Sequence, residues 1–324
     1  RLRNGEFSTE LFQKYQRSEQ ALVLTIMEMV VNGVSTRKIT TITEELCGRS
    51  FSKSTVSALC AALDPVVIAF RDRQLERRYP FVMADALYTK VRENGRIRSK
   101  GFMIAVGINE QGFREILGFS CADSETEAGW TAFFRELKGR GLAQVDMVIS
   151  DSHKGLVQAV KQCFQGATWQ RCQTHFSRNM LDVCPKKLHP EMKAALKSLY
   201  EAGDYETAIL LRDSMLSRFQ QEAPKAAALL EESFEDVMAV LSLPYTLRRR
   251  LRTTNGIERL NEEIRRRERV IRIFPNEESL SRLIGALLME INDGWQSGKV
   301  YLDLTAYLAQ QLQADKPASK KSVA

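Results

Sequence analysis

The feature that most constrains the fold is the order of apolar segments between Tyr79 and Cys163. Three short β-branched or apolar runs come first, Phe81–Ala86, Lys100–Gly107 and Arg114–Ser120, bounded by turn residues such as Asn94-Gly95 and Asn109-Glu110-Gln111-Gly112. Strand-like runs joined by tight turns of this composition predict an antiparallel meander. Trp130, Phe133, Phe134 and Leu137 then recur at helical spacing within 125–140, Val145–Asp151 reads as a buried strand ending in an acid, and 152–163 continues as a helix.

Three strands, helix, strand, helix is the order of a ribonuclease H-like core, so the expected class is α/β. Trp169–Cys172 adds one more short strand and completes a mixed five-stranded sheet with helices. From Pro185 to about Leu243, Leu196, Leu199, Leu210, Met215 and Phe219 keep helical spacing, which predicts an all-α insertion in the core. The stretch 280–313 is helical again, and the lysine-rich tail Ala314–Ala324 is expected to be disordered. Upstream, 18–63 reads as helix, turn, helix, turn, helix, with Gly33-Val34-Ser35-Thr36 and Gly48-Arg49-Ser50-Phe51-Ser52 as the turns. That pattern is helix-turn-helix-like, with 52–63 as recognition helix and Arg49, Lys53 and Thr55 as candidate DNA contacts; a plain helical packing module has the same pattern. The expected division is a helical unit over 1–75, the first part of the core over 76–184, the insertion over 185–250, the rest of the core with C-terminal helices over 251–313, and the tail over 314–324.

Charge is concentrated in one place. Between Arg248 and Arg272 ten arginines face Glu258, Glu262, Glu263 and Glu268, a balance of +6 out of the chain's +7. Arg248, Arg249, Arg250, Arg259, Arg265, Arg266 and Arg267 are too dense for solubility alone and are candidate phosphate contacts. At 324 residues and 44% hydrophobic the chain can bury a sizeable core. No stretch approaches the roughly 18–20 uninterrupted apolar residues of a membrane span, no signal-peptide core is present near Arg1, and the six scattered cysteines suit reduced thiols, so cytoplasm is the expected compartment. The chain opens at Arg1 rather than Met, from which a missing N-terminal portion is expected.

Asp85 ends the first strand and Asp151 the fourth, neighbours in a ribonuclease H-like sheet, so both carboxylates can converge on one edge. Glu258, in the first turn of the arginine-rich helix, can supply a third oxygen, with Glu262 one turn further on as the alternative. Hard oxygen ligands of this kind suit Mg²⁺ or Mn²⁺ and two-metal phosphodiester chemistry. Taken singly, each aspartate is as well explained as a turn cap. Cys172 and His175 form a Cys-x-x-His pair whose zinc reading would need Cys184 and His189 as well.

Four segments carry a resemblance: Asp85-Ala86-Leu87-Tyr88-Thr89-Lys90-Val91-Arg92, Ser150-Asp151-Ser152-His153-Lys154-Gly155-Leu156, Gln170-Arg171-Cys172-Gln173-Thr174-His175-Phe176-Ser177-Arg178-Asn179 and Thr253-Thr254-Asn255-Gly256-Ile257-Glu258-Arg259-Leu260-Asn261 with Arg265-Arg266-Arg267. Together, and in this order, they resemble the bacterial insertion-sequence transposases of the Mutator-like family, which usually show a small residue where Ser152 stands. The resemblance implies a Mg²⁺-dependent DDE transposase in which Asp85, Asp151 and Glu258 are the catalytic, metal-binding triad. Lys90, Arg92, His153, Lys154 and His175 would then lie near bound DNA. It also implies double-stranded DNA partners, transposon terminal inverted repeats and target DNA, a homodimer or higher oligomer, and a cytoplasmic, nucleoid-associated bacterial setting. Two rivals remain at the level of sequence: a ribonuclease H-like nuclease that cuts without strand transfer, and a non-catalytic DNA-binding regulator.

Overall fold

The strands are β1 (Phe81–Glu93), β2 (Arg96–Ile108), β3 (Arg114–Ala122), β4 (Met147–Ser150) and β5 (Thr168–Arg171), and they form one sheet in the order β3-β2-β1-β4-β5. β1 and β2 are joined by Asn94-Gly95, whose φ values of 48° and 76° are those of a two-residue turn matched to strand twist. β2 and β3 pair antiparallel with a register shift at Ala105/Val106, whereas β4 pairs parallel with both β1 and β5. The sheet is thus mixed, and the α/β class with a five-stranded sheet is consistent with a ribonuclease H-like core.

The computed structural model describes residues 21–48 and 51–314. Arg49, residues 1–20 and residues 315–324 of the expected tail lie outside the described residues. The helices are α1 (Ala21–Val31), α2 (Thr36–Cys47), α3 (Lys53–Ala61), α4 (Asp64–Asp72), α5 (Glu127–Gly139), α6 (Lys154–Cys163) and α7 (Gln173–Val183). They continue as α8 (His189–Tyr200), α9 (Tyr205–Phe219), α10 (Pro224–Met238), α11 (Tyr245–Leu251), α12 (Asn255–Ile271), α13 (Glu277–Gln296) and α14 (Thr305–Ala314). The chain divides into two units, Arg1–Arg71 with Thr89–Ser99 and Glu262–Glu290, and Asp72–Tyr88 with Lys100–Asn261 and Ile291–Ala324.

In the larger unit one sheet face is covered by α5 and α6. Val82, Ala84, Met103, Ala105, Leu117 and Val148 pack there against Trp130, Phe133, Phe134, Leu137, Leu156 and Val160. The rings of Trp130 and Phe134 stack with centroids 5.5 Å apart, and Phe134 meets Phe164 edge-on at 5.0 Å; each such pair adds about 0.5–1.5 kcal/mol to area burial. α6 approaches α5 closely because Gly155 carries no side chain: a Cβ there would lie 2.7 Å from the Glu127 amide nitrogen. The helices α7–α10 bury a second cluster of their own, around Phe176, Met180, Met192, Leu199, Met215, Phe219 and Phe234.

In the smaller unit Ile26, Ile39, Val56 and Cys60 form the centre of a helical core with Leu22, Val30, Val34 and Leu59 around it. Ser35 and Ser52 cap α2 and α3 by accepting the Lys38 and Thr55 amides. Arg282 forks onto Asp64 at 2.6 and 2.8 Å. The segment after α12 adds to β1, with Phe274 exchanging backbone bonds with Lys90 and Arg92 at 2.8 Å. The stretch Lys53–Asp72 has the length and mean hydropathy of a membrane span, but it is two helices, α3 and α4, interrupted by the turn at Ala62-Leu63.

Candidate active site

Side chains alternate across a strand, and Val82 and Ala84 belong to the α5–α6 side, so Met83 and Asp85 face the other way. The same parity in β4 places Val148 in that core and turns Ile149, then Asp151, to the opposite face. The register is Phe81 to Met147, Val82 to Val148 and Met83 to Ile149; extended by two residues it brings Asp85 level with Asp151, whose like charge Asp85 senses. Asp151 also closes the turn before α6, accepting the His153 amide at 3.0 Å. The turn-cap role and the convergence on Asp85 therefore coexist in one residue.

α12 covers this face with its first turn. A Cβ on Gly256 would lie 3.3 Å from the Met83 sulfur, so the absent side chain lets the helix start close to β1. Glu258 and Asn261 lie one turn apart on one face of α12, and the Asn261 amide donates to Asp85 Oδ2 at 2.8 Å. Glu258 Oε1 is 4.0 Å from His175 Nε2 and 3.9 Å from Arg178 Nη2, yet it is buried without a hydrogen-bond partner. Glu262, the alternative third acid, is exposed.

The cap position of α12 is Thr254, the residue before Asn255, and its carbonyl accepts the Glu258 amide at 3.0 Å. Thr254 is held in turn by Cys172, whose sulfur accepts both the Thr254 amide and its hydroxyl at 3.3 Å. Two more bonds tie the same segments: the Gln173 amide donates to the Arg252 carbonyl at 3.0 Å, and the Thr174 hydroxyl donates to Asn255 Oδ1 at 3.3 Å. The start of α7 is thereby fastened to the start of α12. Cys184 and His189 are engaged with each other through the Cys184 carbonyl and His189 Nε2 at 3.0 Å.

The electrostatics are those of crowded acids. Burial first, then the like charge of Asp151, pushes Asp85 up to about 7, against His175, which lowers it. His175 is held above the ordinary imidazole value by Cys172 first, with help from Asp85 and Asp151 and against burial. Burial alone would raise the Cys172 thiol, but His175 and Thr254 bring it below its usual range. A further acid joins the group: Glu125, raised by burial and by Asp151, has Oε2 3.9 Å from His153 Nδ1. Sequence reading places Glu125 inside a helix. The structure starts α5 at Glu127 because Thr126 caps it by accepting the Gly129 amide at 3.0 Å, which frees Glu125 from the helix; the Thr126 capping signal could have shown this.

A buried orphan oxygen on Glu258, 4.0 Å from His175, and two mutually repelling aspartates whose charges His175 senses are donors whose chemistry fits a hard divalent cation with oxygen ligands. Asp85, Asp151 and Glu258 are the residues that could hold it, with Glu125 nearby.

Of the basic residues singled out by sequence, Lys53, Lys90, Arg92, His153, Lys154, Arg249, Arg250, Arg259, Arg265 and Arg266 are exposed. Thr55 is half-buried at the start of α3, where its hydroxyl meets that of Ser52 at 2.8 Å. Arg248 and Arg267 do not have the free guanidinium expected of a phosphate contact. Arg248 donates to the carbonyls of Leu243, Gly203 and Leu241. Arg267 is 4% exposed and donates to the Val31 carbonyl at 2.6 Å. Both spend their donors on main-chain carbonyls of their own unit.

A mixed sheet whose edge gathers carboxylates beside a strongly basic helix defines a nucleic-acid-processing class of enzyme. The chain belongs to the Mutator family of transposases, whose family model matches residues 1–298. It is 46% identical over 311 residues to the transposase for insertion sequence element IS256 in transposon Tn4001 of Staphylococcus aureus, covering 94% of this chain and 78% of that protein. It is 45% identical over 302 residues to the transposase for ISRM5 of Rhizobium meliloti, with 93% and 76% covered, and 39% identical over 327 residues to the transposase for IS1081 of Mycobacterium tuberculosis, with 99% and 79% covered.

Proposed function

We propose that this protein is a DDE transposase that cleaves the ends of an insertion sequence and joins the freed 3′ hydroxyl to target DNA. Asp85, Asp151 and Glu258 are its catalytic carboxylates. The observation that supports the reading is the orphaned, buried Glu258 oxygen 4.0 Å from His175, whose ring also senses the charges of Asp85 and Asp151. When bound, Mg²⁺ or Mn²⁺ ions supply Lewis-acid activation of the attacking oxygen and stabilisation of the leaving one.

The chain's own residues do the positioning. Asn261 holds Asp85 through one carboxylate oxygen. Cys172 and Thr254 set the rotation and height of the helix that bears Glu258, and His175 balances the negative charge of the acids. In cleavage, water attacks phosphorus, the bond to the 3′ oxygen breaks, and that oxygen leaves as a hydroxyl. In strand transfer the same hydroxyl attacks a target phosphodiester, one P–O bond forming as another breaks, so no external energy source is needed. Exposed Arg249, Arg250, Arg259, Arg265 and Arg266 bind DNA phosphates, with Lys90, Arg92, His153 and Lys154. The domain division is that of the sequence reading: a helix-turn-helix-like unit, with Lys53 and Thr55 toward DNA, reads the terminal inverted repeats. The α7–α10 region is the all-α insertion of a ribonuclease H-like core. Two ends must be joined, so the working form is a homodimer or larger assembly, acting at the bacterial nucleoid.

The test is an assay of purified protein on duplexes carrying the element's ends, with and without target plasmid. The expected products are 3′-hydroxyl ends and joined strands that vanish in Asp85→Asn. Cleavage without joined strands would reduce the protein to a nuclease, and binding without cleavage to a regulator.

A further inference from the structure

Arg114, the first residue of β3, is neither paired nor solvated in the usual way. Its guanidinium lies 4.1 Å from the ring centre of Trp295 and 4.4 Å from that of Tyr301. Arg250, from the last turn of α11, lies over the same Tyr301 ring at 4.7 Å. Burial first, and then the charges of Arg250 and Arg259, lower the Arg114 pKa, so the three cations sense one another. Among the described residues no carboxylate forms an ion pair with any of the three. The rings hold Arg114 in place through cation–π contact, but they bring no negative charge.

What faces the cluster is the start of α12. A Cβ on Gly256 would lie 3.6 Å from the Tyr301 hydroxyl and 3.9 Å from Arg114 Nη1, so bare backbone is presented there at the positive end of a helix of 17 residues. Gly256 and Arg259 are three apart and share one side of the helix, while Glu258, Asn261 and Arg265 share another. Arg250 and Arg259 are exposed, so the cluster opens to solvent and to a long ligand.

We propose that Arg114, Arg250 and Arg259, set by Trp295 and Tyr301 around the first turn of α12, form a binding site for one backbone phosphodiester of bound DNA. The site goes beyond the arginine-rich stretch: Arg114, Trp295 and Tyr301 lie far from it in sequence, and it gives the cations their missing anion. It rests on the reading that the chain binds DNA, but not on the assignment of the catalytic acids.

The experiment is a fluorescence-anisotropy titration of a labelled duplex of about 30 base pairs, a length that covers several times the charge spacing of duplex DNA, in EDTA, across a range of NaCl. Arg114→Gln should weaken binding about 5–30-fold near 100 mM salt and reduce the slope of log K against log salt by about 0.9, the value for one lost phosphate contact. Its melting temperature should stay within a few degrees of wild type, because relief of the like-charge repulsion offsets the lost cation–π contacts. Arg114→Lys should restore the slope, because a point charge suffices for counterion release. DNA should change the emission of wild-type protein relative to Trp295→Phe. An unchanged slope and affinity in a folded Arg114→Gln variant overturns the proposal. If that variant does not fold, the exposed double variant Arg250→Gln/Arg259→Gln should lower the slope by about 0.9, the value for the same single phosphate, and no change there overturns it equally. Because the titration holds no divalent metal, persistence of cleavage in Asp85→Asn would sink the catalytic reading while leaving this site to be decided by the slope alone.

Discussion

The buried thiol of Cys172 accepts two bonds from Thr254, one from its amide and one from its hydroxyl, both at 3.3 Å. The two residues are far apart in sequence, and the contact fastens the end of β5 to the start of the helix that carries Glu258. Cys172→Ala leaves a buried N–H and a buried hydroxyl without an acceptor, a cost of about 1–3 kcal/mol. The effect on chemistry should be larger than on binding, since a displacement of about 1 Å in a catalytic group can cost on the order of 10²-fold in rate. Single-turnover cleavage is expected to fall by about that factor with DNA affinity changed less than threefold, and Cys172→Ser, which keeps an acceptor, should recover most of it. Equal losses in binding and cleavage would point to general unfolding instead.

The carboxylates make a sharper prediction. Asp85→Ala, Asp151→Ala and Glu258→Gln should each lower cleavage by at least about 10³-fold while leaving DNA affinity at or above wild type, because removing a negative charge beside bound phosphate cannot weaken attraction. Glu262→Gln, on an exposed side chain, should stay within about threefold of wild type. A dead Glu262→Gln with an active Glu258→Gln would move the third acid by one helical turn.

Asp85 links the site to pH. Its folded-state pKa is raised to about 7 from an ordinary 3.8, so the native state binds more protons than the unfolded state between those values. Stability from this group is therefore intact below about pH 4 and is lost as pH rises to about 7. In EDTA, Asp85→Asn should melt several degrees higher than wild type at pH 8, a gain of about 2 kcal/mol at about 1.4 kcal/mol per pKa unit with relaxation allowed for, and no higher at pH 4. Added Mg²⁺ or Mn²⁺ should stabilise the wild type at pH 8 by about 2.7 kcal/mol at a hundredfold excess over Kd. Asp151→Asn should lose most of that gain. A melting temperature of wild type that rises between pH 4 and 7 would contradict the shift.

Much of this layout is legible in the sequence for a physical reason. Phe81–Ala84 and Met147–Ile149 are continuous apolar runs, each followed closely by an acid, so Asp85 and Asp151 come level once the two strands pair in parallel, although β1 runs on to Glu93 rather than ending at Asp85 as the sequence alone suggests. What is not legible depends on long-range contact. Asn261 is one more polar residue on a helix until β1 lies beneath it, and Glu125 belongs to a helix until Thr126 takes the cap. Arg114 is a strand residue with nothing to mark it until Trp295 and Tyr301 arrive from the other end of the chain. Arginine density, conversely, overstates its own meaning, because a buried arginine bonded to carbonyls and an exposed one facing solvent read alike in sequence.

That last distinction is measurable within three adjacent residues. Arg265 and Arg266 are exposed, and Arg266 only meets Glu263 at 3.1 Å on the surface, where an ion pair is worth little. Arg267 is buried, donates to the Val31 carbonyl at 2.6 Å, and lies under Gly33, whose missing Cβ would be 3.0 Å from its Cδ. Arg265→Ala/Arg266→Ala should leave the melting temperature within a degree or two and reduce the salt slope of DNA binding by up to about 1.8. Arg267→Ala should do the reverse. Its loss leaves buried carbonyls unpaired and a cavity beneath Gly33, for which a destabilisation of about 2–4 kcal/mol is expected, with the salt slope of the folded fraction unchanged. A reduced slope in Arg267→Ala without loss of stability would mean that this side chain leaves its burial site to meet DNA.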